Sequence, residues 1–196
     1  AFYRRLLGEG GELNHACHGY DSVRAGEAFA RGEAAMMINW FGFATYADTD
    51  STSRVKGLVD VAPLPEGRPG QGVSLNSYWI YAIGSGSRHA GLAYDFVRFA
   101  TSRAGDKLLS MEGGIGCRLS SWHDPEINAQ IPFYHKLELL HQNARCLPAL
   151  RGWPRIASVI DMVMSATIHS GIPVAEILQM GQQKIRAYQD HDTDRL

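Results

Sequence analysis

The residues best suited to chemistry come in two groups. The first is a set of possible metal ligands and nucleophiles. In "HACH", residues 15–18, two histidines and a cysteine fall within four positions. A tetrahedral metal site needs three or four such ligands, and no second cluster with ligand spacing completes this one. In "HKLELLH", His135, Glu138 and His141 stand at i, i+3 and i+6. Glu138 neighbours both histidines on a helix, but the histidines themselves lie about 120° apart around its axis. This is not the i, i+4 pair of HExxH, and a solvated helix face is the expectation. Cys117 in "GIGCR" follows flexible glycines, with no histidine tied to it as a base. There is no GxSxG elbow, Walker A loop or GxGxxG turn. The paired acids Asp48 and Asp50 fall in a polar stretch they would solvate. No cofactor and no metal are expected, and enzyme chemistry is disfavoured.

The second group is aromatic. Trp40, Trp79, Trp122 and Trp153 all fall at or near expected element boundaries. Asn39 precedes Trp40, Asn76 and Ser77 precede Trp79, and Arg151 stands two residues before Trp153. An aromatic face with amide and guanidinium donors beside it suits a sugar ring. The C–H face of the sugar stacks on the aromatic, and its hydroxyls take hydrogen bonds from the fixed polar groups. Loop mouths are also where binding residues concentrate.

The elements that must hold these side chains can be read from capping and periodicity. Residues 2–7 read as the end of a helix. Asp21 and Ser22 are candidate N-caps for a helix over 23–31, with Gly32 at C′. Residues 34–38, 58–62 and 78–83 read as short strands, the first of them buried. Residues 44–54 read as polar and turn-rich, and "PLPEGRPGQG" as a loop. Ser87 is a candidate cap for a helix whose apolar face holds Leu92, Phe96 and Phe99. Ser102 can cap the next helix, through Met111, with Gly113 and Gly114 closing it. Helices follow near Pro125 and over 132–144. Pro154 suits N1 of a long helix ending at Gly171, and Pro173 opens the last helix. The tail over 189–196 reads as frayed. About three short strands are too few for an ordinary sheet of roughly four to six. The chain reads as part of a larger α/β architecture.

Composition sets the outer bounds. The chain has 196 residues, 45% hydrophobic and 20% charged, with formal net charge -1. A near-neutral, interleaved charge leaves no footprint for nucleic acid and no polybasic membrane patch. Cys17, Cys117 and Cys146 form no CxxC pair, and an odd count leaves at least one thiol unpaired within the chain. No apolar run approaches the ~20 residues that span a bilayer. The opening "AFYRRLLGEGGELN" has no signal-peptide h-region, so the expectation is a cytoplasmic chain or one that begins after processing or inside a longer precursor.

Five blocks in order resemble one family. "AFARGEAAMMINW" resembles F-x-x-G-[KE]-A-A-M followed by an apolar strand and Trp. "VDVAPLPEGRPG" resembles a strand followed by P-L-P and a glycine loop. "SYWIYAIGSGSRHAGLAYDFVRFATS" is similar to G-G-W-x-[LI]-A-I, a serine, and a helix with Phe. "GGIGCRLSSWHDPE" resembles G-G-x-P-x-R and a D-P helix start. "LPALRGWPRI" with "SGIPVAEIL" resembles the P-G-Y-P-x-I helix and the closing G-x-S-x-x-E-A-L helix. Together, over about residues 20–190, they resemble the C-terminal half of extracellular solute-binding proteins of the maltose-binding type, the receptor subunits of ABC importers. Asn76, Ser77 and Tyr78 stand where glycines are usual, Cys117 where proline is common, and Trp153 where tyrosine is common.

The resemblance implies a periplasmic-binding-protein-like α/β fold of type II, seen here in its helix-rich C-terminal portion. Residues 1–76 would finish the C-terminal lobe, 77–144 would cross to the N-terminal lobe, and 145–196 would return as closing helices. The family's N-terminal half has no counterpart among these blocks. The implied ligand set is Trp40, Trp79 and Trp153, with Asn39, Tyr78, Arg118 and Arg151 beside them. Arg118 is open between a ligand-facing and a structural role. The implied activity is non-enzymatic capture of a carbohydrate and delivery to a membrane permease, in the periplasm or outside the cell. The alternatives are a polyamine, peptide or organic anion on the same fold, or a cysteine or metal hydrolase.

Overall fold

The computed structural model describes residues 2–7, 19–68 and 72–193, without the side chains of 5, 7 and 189–193. HACH and Cys17 lie outside the described residues. The chain divides into two compact units: residues 19–146, and residues 1–18 with 147–196.

The larger unit begins with α2 (Ser22–Ala30), following α1 (Phe2–Leu7) of the other unit. Asp21 caps α2 by accepting the Arg24 N–H at 2.8 Å, and Gly32 takes φ +75 just past the end, as capping predicts. α3 (Phe41–Thr49) packs across α2 so closely that a Cβ on Gly26 would meet Phe43 at 2.2 Å.

α3 corrects the expectation of a turn-rich stretch over 44–54. Phe41, Ala44, Thr45 and Asp48 share one face at helical spacing, and the last three are buried. Polar side chains hid this pattern because they bond inside the fold. Thr45 Oγ1 donates to the Gly113 carbonyl at 2.8 Å, and Asp48 accepts the Gly57 N–H at 2.7 Å.

After α3 come β1 (Ser74–Leu75), α4 (Ala90–Ala100), α5 (Arg103–Met111), α6 (Leu119–Trp122), α7 (Pro125–Gln130), a 3₁₀ turn at Tyr134–Lys136, α8 (Leu137–Gln142) and β2 (Ala144–Arg145). β1 and β2 pair in parallel, Ser74 opposite Ala144 and Leu75 opposite Arg145. The core gathers Ala44, Trp122, Ile127, Ile131, Phe133, Tyr134 and Leu137, with Phe41 packed edge-on to Phe133 and Tyr134. Ser102 caps α5 and Asp124 caps α7, as the sequence predicts. α4 starts two residues after the expected position, with His89 at its N-cap and the Ser87 hydroxyl accepting the His89 N–H.

The three expected strands do not form. Residues 34–38, 58–62 and 78–83 form no helix and join no ladder among the described residues. Met36 is 88% exposed and Ile38 76%, so the run expected to be buried is open. A strand exists only with a neighbour to share its N–H and C=O groups. Side-chain pattern shows where a strand fits and not whether a neighbour is present. The apolar face of α4 is open too, with Leu92, Phe96 and Phe99 all well exposed.

The smaller unit holds α1, α9 (Trp153–His169) and α10 (Val174–Thr193). Arg4 ties α1 down, its Nε donating to the Thr167 carbonyl at 2.8 Å and its Nη2 to the Ile172 carbonyl at 2.9 Å. Val159 and Ile177 are buried between α9 and α10. Trp153 opens α9, which moves Pro154 to N2 rather than the expected N1. α10 continues to Thr193, further into the tail than the frayed end expected from 189.

Candidate functional site

Trp40 is the N-cap of α3, in extended conformation and 47% exposed. Its backbone N–H is held by Asn39 Oδ1 at 2.8 Å, while Asn39 Nδ2 donates to the Ser22 carbonyl at 2.8 Å. Asn39 therefore spends both ends of its amide anchoring the α2–α3 junction, which fixes Trp40 at the mouth of the helix. Phe41, one residue on, turns into the core, so adjacent aromatics serve opposite sides.

Tyr78 and Trp79 lie in the extended segment that leaves β1. The Asn76 N–H bonds the Arg145 carbonyl at 2.8 Å, which sets where the segment starts. Trp79 is fully exposed, at 101%. Tyr78 hydrogen-bonds His141 Nε2 through its hydroxyl and stacks on the imidazole at 6.1 Å. Its phenol is pushed up from the ordinary range by desolvation, with Cys117 and Cys146 adding to the shift.

His141 corrects the reading of "HKLELLH" as a solvated face. His141 sits between Tyr78 and Trp122, whose ring is 4.7 Å away. Glu138 pairs with neither helical neighbour. Its carboxylate meets His123 Nε2 at 2.7 Å, and His135 turns to Asn128. The helix breaks between its first histidine and the rest, since Tyr134–Lys136 is a 3₁₀ turn, so i, i+3 spacing no longer sets who meets whom.

Arg118 has a structural partner. Its Nε and Nη2 donate to the Thr101 carbonyl at 3.0 and 2.6 Å. Its loop is held by buried Asp106, whose carboxylate accepts the Cys117 N–H at 2.8 Å, the Arg118 N–H at 3.3 Å and the Ser121 hydroxyl at 2.6 Å. Asp106 and Ser121 carried no functional signal in the sequence, yet they shape the "GGIGCR" loop. Trp122 is buried and donates its indole N–H to the Gly116 carbonyl at 2.7 Å, which separates it from the three exposed or half-exposed tryptophans.

Trp153 and Arg151 belong to the smaller unit. Trp153 is half-buried at the first position of α9, and Arg151 is exposed. In the larger unit, Asn39 and Trp40 are joined by a hydrogen bond, and Tyr78 and Trp79 are sequence neighbours in one extended segment.

Chemistry at Cys117 is opposed by its surroundings. Desolvation and then the nearby Asp106 carboxylate push its thiol up, the reverse of what an activated nucleophile needs. Among the described residues, no group of three His, Cys, Asp or Glu is arranged to hold a metal ion.

Residues 19–107 match the model for bacterial extracellular solute-binding proteins. That segment is similar to the solute-binding family over 89 of the 196 residues. Over 148 residues, 75% of the chain, it is 26% identical to a probable ABC transporter-binding protein of Deinococcus radiodurans. The fold matches that of maltose-bound MalE3 of T. maritima, with TM-score 0.83 and 23% identity over 95% of this chain. The chain spans 35% of the length of the first and 48% of the second. The five-block resemblance agrees with these matches, and the chain shares the fold of the maltose-bound neighbour in part. Among the described residues, no helix is long and apolar enough to cross a membrane.

Proposed function

We propose that this chain is part of the substrate-binding component of an ABC-type importer and that it binds a carbohydrate by aromatic stacking. In the larger unit Trp40 is the principal stacking surface, with Trp79 as a further aromatic contact; in the smaller unit Trp153 is a separate candidate. The Tyr78 oxygen accepts a hydrogen bond from a ligand hydroxyl, and the Arg151 guanidinium of the smaller unit is a donor. Asn39 and Arg118 act behind them: Asn39 sets the angle of Trp40, and Arg118 holds its loop to Thr101. The partner is a membrane permease, and the setting is the periplasm or the cell exterior.

The observation that carries this reading is the treatment of Trp40. An indole left half open forfeits apolar burial worth roughly 25 cal/mol for every Å2 exposed. Here the backbone of Trp40 is held by a two-ended amide brace and its indole stays half open, while its half-buried neighbour Phe41 packs on the core. An indole carried on an anchored backbone and open to solvent suits a flat apolar ligand face. The likeness to a maltose-bound neighbour supports a sugar as that ligand.

A thermal-shift comparison on the full-length protein tests the ligand class. Maltose and related sugars are expected to raise the melting temperature by mass action. Stabilisation by a polyamine, peptide or organic anion with none from any sugar contradicts the carbohydrate reading.

A further inference from the structure

The four-residue relay Gly116–Trp122–His141–Tyr78 runs from the buried core to an exposed ring beside Trp79. Its inner end is fixed, because Trp122 is buried and its indole N–H is bonded to Gly116. His141 stacks on that indole. Its Nδ1 lies 2.8 Å from the Leu137 carbonyl, one turn back on α8. A carbonyl only accepts, so Nδ1 must carry the hydrogen. In a neutral imidazole this leaves Nε2 as an acceptor, and the group facing Nε2 is the Tyr78 hydroxyl. The donor directions are therefore determined end to end: Tyr78 donates to His141, and His141 donates to Leu137.

We propose that His141 is a positioning residue that sets the path of the Tyr78–Trp79 segment. The idea rests on the reading that this segment faces a sugar. Tyr78 is pinned twice, by the β1–β2 pairing two residues before it and by its own ring on His141. Trp79 follows directly on this anchored residue, although its own side chain is fully exposed. A flexible segment would have to be ordered when ligand binds, at a cost in conformational entropy. The latch removes that cost beforehand. The effect is on ligand affinity and not on the fold, because Tyr78 and Trp79 are both exposed.

The test uses the full-length protein, with maltose as the probe. Two-bond proton–nitrogen correlation spectra on histidine-labelled protein are expected to show His141 protonated at Nδ1 and bare at Nε2. The opposite tautomer overturns the latch. Titration calorimetry then compares the wild type with Tyr78→Phe, His141→Phe and the double variant. Each single change is expected to weaken maltose binding about five- to tenfold, and the double variant no further than the worse single one. Losses that multiply, or no loss in either single variant, overturn the positioning role. Tyr78→Phe removes one exposed hydroxyl, so it folds even where His141→Phe does not. A wild type that ignores maltose is the separate failure of the sugar reading, and it removes the ligand role of the latch with it.

Discussion

Residues 77–100 and 101–137 follow one another in the same unit and are opposites. In the second stretch, Trp122, Ile127, Ile131 and Tyr134 are buried, and the polar residues among them are paired. Tyr134 alone donates its hydroxyl to Ser110 Oγ at 2.9 Å and accepts the Gly116 N–H at 2.8 Å. Among the described residues, no buried side-chain nitrogen or oxygen lacks a partner. In the first stretch no residue is buried at all, although it carries Trp79, Ile80, Tyr81, Leu92, Phe96 and Phe99. Both stretches have helices with sound local signals. The difference lies in what is across from them. Helix formation is decided by caps and spacing, whereas burial is decided by a partner surface.

Substitutions that break this contrast rank by burial. Ile127→Ala removes a fully buried side chain between α7 and the core. It is expected to cost about 4 kcal/mol, read as a lower urea midpoint of the 196-residue chain. Asp106→Ala comes next. It strands the buried Ser121 hydroxyl and two part-buried backbone N–H groups, for a loss of about 2 kcal/mol. A midpoint unchanged by either substitution would remove the second stretch from the core.

Acid sensitivity is the next effect. Asp124 caps α7 and meets Lys107, whose ammonium is 3.0 Å away, and the bond to Lys107 holds its carboxyl below the usual range. A carboxyl lowered by folding stabilises above its unfolded value and loses that contribution as pH falls through the folded one. The wild type should therefore lose thermal stability below about pH 4 more steeply than Asp124→Asn, with the two curves converging in acid. Parallel curves would contradict the pairing. The smallest effect belongs to the first stretch. Phe96→Ala should move the midpoint by no more than about 0.5 kcal/mol, because Phe96 is 60% exposed. A loss as large as that at Ile127 would mean that the α4 face is buried after all.

The same contrast explains what the sequence could tell. Helix starts at Asp21, Ser102 and Asp124 were legible because each cap is a local event, a side chain bonding an N–H two or three residues on. The Trp40 position was legible from its place after an apolar run. That no strand forms over 34–38, 58–62 or 78–83 was not legible, because a ladder needs a second segment. α3 was missed because Thr45 and Asp48 looked like solvent-facing residues until their partners, Gly113 and Gly57, came together from elsewhere. His141 was misread for the same reason. Its partners Tyr78 and Trp122 are 63 and 19 positions away along the chain.

The central claim is that a braced, open indole at the start of α3 is a sugar platform. Titration calorimetry of maltose into the full-length protein and its Trp40→Ala variant tests it most directly. The account predicts at least tenfold weaker binding in the variant, a loss of about 1.4 kcal/mol, with an unchanged melting temperature in the absence of sugar. Equal affinity in the two proteins would contradict it.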